Sequence, residues 1–315
     1  MKHFLRFGTV VVALAVSFSL TAFANTKDEI TMGSIQNDLL EYLEVNHPEI
    51  EFGSKEYIEY VTNVALTNSD KELEKQENYD DIKFYCGEYL HELSEQQTKE
   101  NLRPDDIFIP SEEFDSTTVG EIERRAHEQQ ILDEIQYQEI QSQRPAVIKS
   151  GYDVDAATSY AKKYATRFNP FYNAHSKDCT NFVSQCLYAG GISMESPRDI
   201  PLGIYDTTKY WYSEPTGATW RESTSWINVD DLYTYCIKEA NAERHEYASL
   251  SALKQGVQVG DVVQIGNRSG EWYHSIFISD YSSKDGYLYC AHSSFADDKP
   301  ISGLAENNKY RVIRF

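Results

Sequence analysis

The spacing of apolar residues changes period once along this chain, and that change limits the folds open to it. Between Asp28 and about Ser142, apolar side chains recur every three or four residues, as at Ile35, Leu39, Tyr42 and Leu43 and again at Tyr57, Tyr60, Val61 and Val64. That is the period of an amphipathic helix, and the segment reads as three or four of them. Pro104 and Pro110 interrupt the pattern, after which a long helix from about Thr117 to Gln143, rich in Glu, Gln and Arg, ends before Pro145. So polar a helix suits a solvated connector or a partner surface better than a core element.

Composition shifts after Pro145. Asp153 or Asp155 can cap a helix whose Ala156, Ala157, Tyr160, Ala161, Tyr164, Ala165 and Phe168 form one stripe, with Asn169-Pro170 as its stop. A second helix starts near Asp178 and ends at Gly190-Gly191, and a third is expected near Val229 to Ala240. Then the reading turns to strands: 259–265, 272–281 and 287–292 are β-branched or aromatic runs separated by Gly-Asn and Asp-Gly turn signals. Helices first and antiparallel strands later define an α+β class. The expected organisation is an acidic all-α region at 25–150, with the long connector helix, ahead of an α+β domain at 151–315.

Charge follows the same division. Residues 25–150 hold 30 acidic and 11 basic side chains, and residues 151–315 hold 20 and 16, so nearly all of the net charge of -21 lies in the first part. So acidic a surface offers phosphate backbones no basic footprint, which excludes nucleic acid as an expected partner. At the start, Lys2 and Arg6 precede an apolar run from Val10 to Leu20 and then Ala22-Phe23-Ala24, the pattern of an export signal over residues 1–24. The run is short for a bilayer span. The expected location is therefore secreted or cell-wall associated, without a membrane partner once the signal is cleaved. Five cysteines are an odd number for an exported chain, so at least one thiol stays free or pairs with another molecule.

One of them stands where chemistry is favoured. Cys179 opens the helix Asp178-Cys179-Thr180-Asn181-Phe182-Val183-Ser184-Gln185, where unpaired N–H groups and the positive end of the macrodipole favour a thiolate and can receive an oxyanion. A buried, inert thiol is the bland alternative. In Trp272-Tyr273-His274-Ser275-Ile276-Phe277-Ile278, alternation puts His274 on one face with Ile276 and Ile278. A turn centred near Ser283 sets His274 opposite His292, where His292 could orient His274 as a base.

Residues 152 to about 304 resemble the putative amidase domain of the papain-like, NlpC/P60 and CHAP group. The resemblance is carried by Asn169-Pro170-x-Tyr172, the run Asp178 to Gln185, Gly190-Gly191, Gly260-Asp261, Trp272-x-His274-Ser275 and His292-Ser293. It implies a papain-like cysteine hydrolase fold, helices packed on a small antiparallel sheet. It also implies nucleophile Cys179, base His274, a third polar group best matched by His292, and a second oxyanion donor upstream, for which Tyr172 or Asn173 is available. The substrate expected is a peptide or peptidoglycan amide, with no cofactor and no metal. Asp178 is read as a helix cap, Asn181 and Gln185 as loop-fixing residues, and Asp297 or Asp298 as alternatives to His292. A zinc set of Cys179, His274, Cys290 and His292 is conceivable, but no pair has a familiar ligand spacing. Two competing functions remain open. One is an inactive cell-surface binding module of the same fold, with Tyr210, Trp211, Tyr212, Trp220 and Trp226 lining a groove; the other is an effector targeted by its acidic half.

Overall fold

The computed structural model describes residues 27–143, 151–217 and 219–315. The signal pattern at 1–24 and the stretch that contains Pro145 lie outside the described residues. Residues 27–143 form α1 (Met32–Asn46), α2 (Lys55–Leu66), α3 (Tyr79–Glu100), α4 (Glu112–Ser116) and α5 (Val119–Gln143). Hydroxyls start several of them: Thr31, Ser54 and Ser111 accept N–H bonds from Ser34, Tyr57 and Phe114. The Ser111 cap produces α4 inside the Pro-broken stretch, which is why the segment holds one helix more than its periodicity suggests.

The rest of the chain alternates helices and strands. It runs α6 (Val154–Tyr164), α7 (Cys179–Ala189), β1 (Gly203–Tyr205), β2 (Ser213–Thr216), β3 (Thr219–Ser223), α8 (Thr224–Ile227) and α9 (Val229–Lys238). Then follow β4 (Glu243–Tyr247), α10 (Leu250–Gly256), β5 (Val262–Gly266), β6 (Trp272–Ser282), β7 (Gly286–Ala291), β8 (Ala296–Pro300) and β9 (Lys309–Arg314). Asp153 caps α6 as expected, accepting the Ala156 N–H at 2.9 Å. Gly191, with φ of 93°, turns the chain at the end of α7 in a conformation that L residues avoid.

Six strands make one antiparallel sheet in the order β4-β9-β5-β6-β7-β8, and β1-β3-β2 make a smaller one in which β1 and β3 run parallel. Alternation sorts the large sheet into two faces. Val263, Ile265, Ile276, Ile278, Tyr310 and Val312 share a core with Leu39, Val61, Tyr85 and Leu90 of α1, α2 and α3. Val262, Phe277, Cys290 and Ile313 face the other way, into a core built from α6, α7 and α9. Each large apolar side chain buried in either core contributes about 1.5–3 kcal/mol. The molecule is thus mixed α+β, with the sheet between two helical layers. The first layer comes close because α3 presents Gly87 to the Tyr273 ring, where an added Cβ would stand 3.3 Å from ring carbons.

Three of the five aromatics of the middle segment are core, while Tyr210 and Trp220 are half-buried. Trp211, Tyr212 and Trp226 are fully buried, with Trp211 and Trp226 at 4.5 Å between ring centroids and Trp211 stacked on Tyr235.

Candidate active site

α7 begins at Cys179 because the residue before it is held from four directions. The Asp178 N–H donates to Ser293 Oγ at 2.8 Å, and its Oδ2 accepts the His292 Nδ1–H at 2.6 Å. Its Oδ1 accepts the His175 N–H at 3.0 Å and the Asn181 Nδ2–H at 2.8 Å. The carboxylate therefore does not cap α7, contrary to the sequence expectation: the helix start has no side-chain cap. What looked like a capping residue is the hub that joins the head of α7 to the end of β7. His292-Ser293 grips this hub through both residues, and Ser293 adopts a left-handed φ of 68° to do so.

His292 is fully engaged. It stacks on Phe182 of α7 at 4.2 Å between centroids, and its Nε2–H donates to the Tyr164 carbonyl at 2.8 Å. It does not stand opposite His274. Phe277 pairs with Cys290 and Ile278 with Tyr289, so the same register carried along β6 brings His292 across from Ser275. The expected register was off by one residue, and such a slip exchanges the faces of the sheet. Ser275 accordingly reaches α7, its Oγ 3.1 Å from Thr180 Oγ1.

His274 lies on the opposite face, paired with Ile265 and beneath the layer that contains α3. It is fully buried, and neither ring nitrogen has a hydrogen-bond partner, Cys179 and His292 included. Burial, and then the nearby Lys177 ammonium, push its pKa down to about 3. Lys177 is itself buried; its Nζ donates to the Leu90 carbonyl of α3 at 2.6 Å. Burial lowers its pKa to about 8 against the attraction of Cys179, Asp230 and Glu95. Cys179, 1% exposed, and His274 thus share one charged neighbour without touching each other through a hydrogen bond. The Cys179 Sγ lies 3.9 Å from Thr180 Oγ1.

Upstream, Tyr172 stacks on Trp226 at 5.8 Å, and the Asn173 Nδ2–H donates to Glu222 Oε2 at 2.9 Å, so this side-chain amide is already engaged. Glu222 also accepts from Ser213 at 2.8 Å and from His175 Nε2–H at 3.1 Å. Desolvation opposes both charges of this buried pair, yet the mutual attraction prevails: the His175 pKa is raised and the Glu222 pKa lowered. Sequence reasoning missed His175, Lys177 and Glu222; two basic residues just ahead of the cysteine were the available signal. Asn181 fixes a loop through the Asn173 carbonyl and also accepts from Trp226 Nε1 of α8, whereas Gln185 accepts from Tyr160 of α6 and so joins two helices rather than fixing a loop. Asp298 accepts from Ser279 and pairs with Lys162, away from His274. All five cysteines are free and buried. Among the described residues, no cluster of three His, Cys, Asp or Glu side chains is placed to hold a metal ion.

Two curated proteins of Bacillus subtilis (strain 168) are similar to this chain. Uncharacterized protein YhbB is 44% identical over 78 residues, 24% of this chain and 25% of that protein. Uncharacterized protein YjcM is 30% identical over 141 residues, 44% of this chain and 25% of that protein. The matches thus span about a quarter of the length of each relative. No solved structure matches the chain. Residues 151–315, which contain α7, β6 and β7 and every side chain placed at the candidate site, match the model of the Putative amidase domain, and the chain belongs to that family, whose description points to amide hydrolysis.

Proposed function

We propose that the chain is a cysteine amidase in which Cys179 attacks the carbonyl of an amide in cell-wall peptide, after export directed by residues 1–24. The observation that carries this reading is the position of Cys179 as first residue of an uncapped helix inside the family-matched segment. N–H groups of the first turn are there to receive an oxyanion. His274 is the base: neither ring nitrogen has a hydrogen-bond partner, and the burial and the Lys177 charge that hold its pKa down are both relieved when the site opens to solvent, which returns the ring to the range of a general base. Proton transfer from Sγ to the ring creates the thiolate, which adds to the carbonyl carbon. Collapse of the tetrahedral intermediate breaks the C–N bond as His274 returns the proton to the departing amine. Water, deprotonated by the same ring, then cleaves the thioester and regenerates the thiol.

His292 takes a different part from the one its sequence position suggests. With both nitrogens committed to Asp178 and Tyr164, it is a positioning residue that fixes the head of α7. A helix terminus so fixed holds its dipole and its thiol in one place.

The test is prolonged digestion of purified peptidoglycan, with new amine and carboxyl ends identified by mass spectrometry. The native chain generates such ends, and Cys179→Ala reduces their rate by about 10³-fold or more. Equal release by both chains contradicts the reading.

A further inference from the structure

Reaction at Cys179 requires an approach to the sulfur and an imidazole in contact with it, and in this arrangement the sulfur is buried and makes no hydrogen bond to His274. Cys179 and His274 are 1% and 0% exposed. Two clefts of about 330 and 380 Å³ lie elsewhere, one among α3, α4 and α5 and one between α5 and the sheet edge, and neither is lined by Cys179 or His274. The backbone just ahead of Cys179 is held from the first helical layer. The Gln97 side chain forms a two-bond clamp on the Lys177 backbone, Nε2–H to the carbonyl at 3.0 Å and Oε1 from the N–H at 2.7 Å. At the adjacent residue, the Leu102 carbonyl accepts the Ser176 N–H at 3.2 Å, and the Arg103 carbonyl accepts the Ser176 hydroxyl. The Leu90 carbonyl holds Lys177 Nζ, and Glu95 accepts from Asn228 Nδ2 at 2.8 Å. Asn101, with φ of 53°, ends α3 between the clamp and the two carbonyls.

We infer that the last turns of α3 and residues 101–103 are an autoinhibitory strap, which keeps Cys179 and His274 latent by clamping Ser176 and Lys177, and whose local opening exposes the site. The inference rests on Cys179 being the nucleophile of the amidase reading. The strap is bound by directional backbone and amide bonds at residues 176 and 177, with Leu102 as its apolar contact, whereas α1, α2 and α3 as far as Leu93 are bound by the apolar core they share with the sheet. Hydrogen bonds of this kind can break while such a core persists, which is the condition for a local opening below the free energy of global unfolding.

Iodoacetamide labelling of the full chain, mapped cysteine by cysteine across a urea series, tests this without any substrate. In the native chain Cys179 is labelled slowly, but faster than Cys86, Cys186, Cys236 and Cys290 and with a shallower urea dependence. Gln97→Ala raises the Cys179 rate at least tenfold and leaves the other four protected. Labelling of native Cys179 at the rate of a free thiol, a urea dependence equal to that of the other four, or an unchanged rate in Gln97→Ala overturns the strap. The urea series stands alone if Gln97→Ala fails to fold. Hydrolysis separates the two claims: a Gln97→Ala chain that labels faster without cutting amides retains the strap and removes the amidase reading.

Discussion

At the scale of single residues, Asp178 decides more than the cysteine it precedes. Its carboxylate satisfies the His292 ring, the His175 N–H and the Asn181 amide inside a site with no water-facing alternative. Removing it leaves several buried donors unmet, and each unmet donor carries its own desolvation penalty. Asp178→Ala is therefore expected to cost about 3–5 kcal/mol, read as a lowered urea midpoint with unchanged slope, and Asp178→Asn, which keeps one acceptor, about half of that. A loss below 1 kcal/mol in Asp178→Ala would show that the hub holds nothing together. Cys179 was legible because a cysteine at the first position of an apolar-striped helix has a physical signature. Lys177 was not: a lysine in sequence gives no sign that it will be buried against Leu90, far away along the chain. The His274–His292 pairing failed for a comparable reason. It depended on the register of one hairpin, and β6 carries an irregularity between Ile278 and Asp280 that turn signals do not reveal.

At the scale of elements, periodicity identified α7, α9, β6 and β7 nearly to their ends because apolar residues mark each of them, whereas α5 was legible from its Glu-, Gln- and Arg-rich composition and the proline that follows it. β8 is Ala-Asp-Asp-Lys-Pro and β2 is Ser-Glu-Pro-Thr, edge strands whose polar residues and proline suit an unpaired rim but read as loop. β9 is central and still escaped notice, since Arg311 sits in its middle. That side chain is buried between the Tyr233 and Trp272 rings, at 3.9 and 4.4 Å, with Asp230 and Gln264 accepting from it. The small sheet is tied to the candidate site by Glu222 of β3 and His175, and this link carries a pH signature. Although burial would raise the Glu222 pKa, His175 and its other donors lower it, so its stabilisation is present above about pH 4.5 and lost as pH falls through the lower folded value. Against a burial effect of opposite sign, Glu222 raises the His175 pKa, so that contribution is full below about pH 6.5 and lost as pH rises through the higher folded value. The stability deficit of Glu222→Gln in urea unfolding should thus be largest, about 3 kcal/mol, between pH 4.5 and 6.5, and narrow on either side. A deficit independent of pH would mean that the pair is not ionised.

At the scale of the whole molecule, the sheet is a partition. One face is covered by helices of the segment the family model matches, and the other by α1, α2 and α3, which precede that segment. The class of fold was legible, because helical and strand periods are local properties. That the acidic half completes the core of the other half was not, since an apolar stripe on a helix does not say which surface will cover it. The same layering ties α3 and residues 101–103 to Ser176 and Lys177, just ahead of Cys179, and puts His274 on the face of the sheet that α3 covers. The central claim, that the Cys179 sulfur becomes covalently acylated, is tested most directly by acid-quenching the Gln97→Ala chain during digestion of peptidoglycan fragments and weighing the intact protein. The account predicts a single adduct with the mass of the acyl half of the substrate, mapped to Cys179 and absent from Cys179→Ala. Amide cleavage that continues with Cys179 unmodified, or with the adduct on another residue, would contradict it.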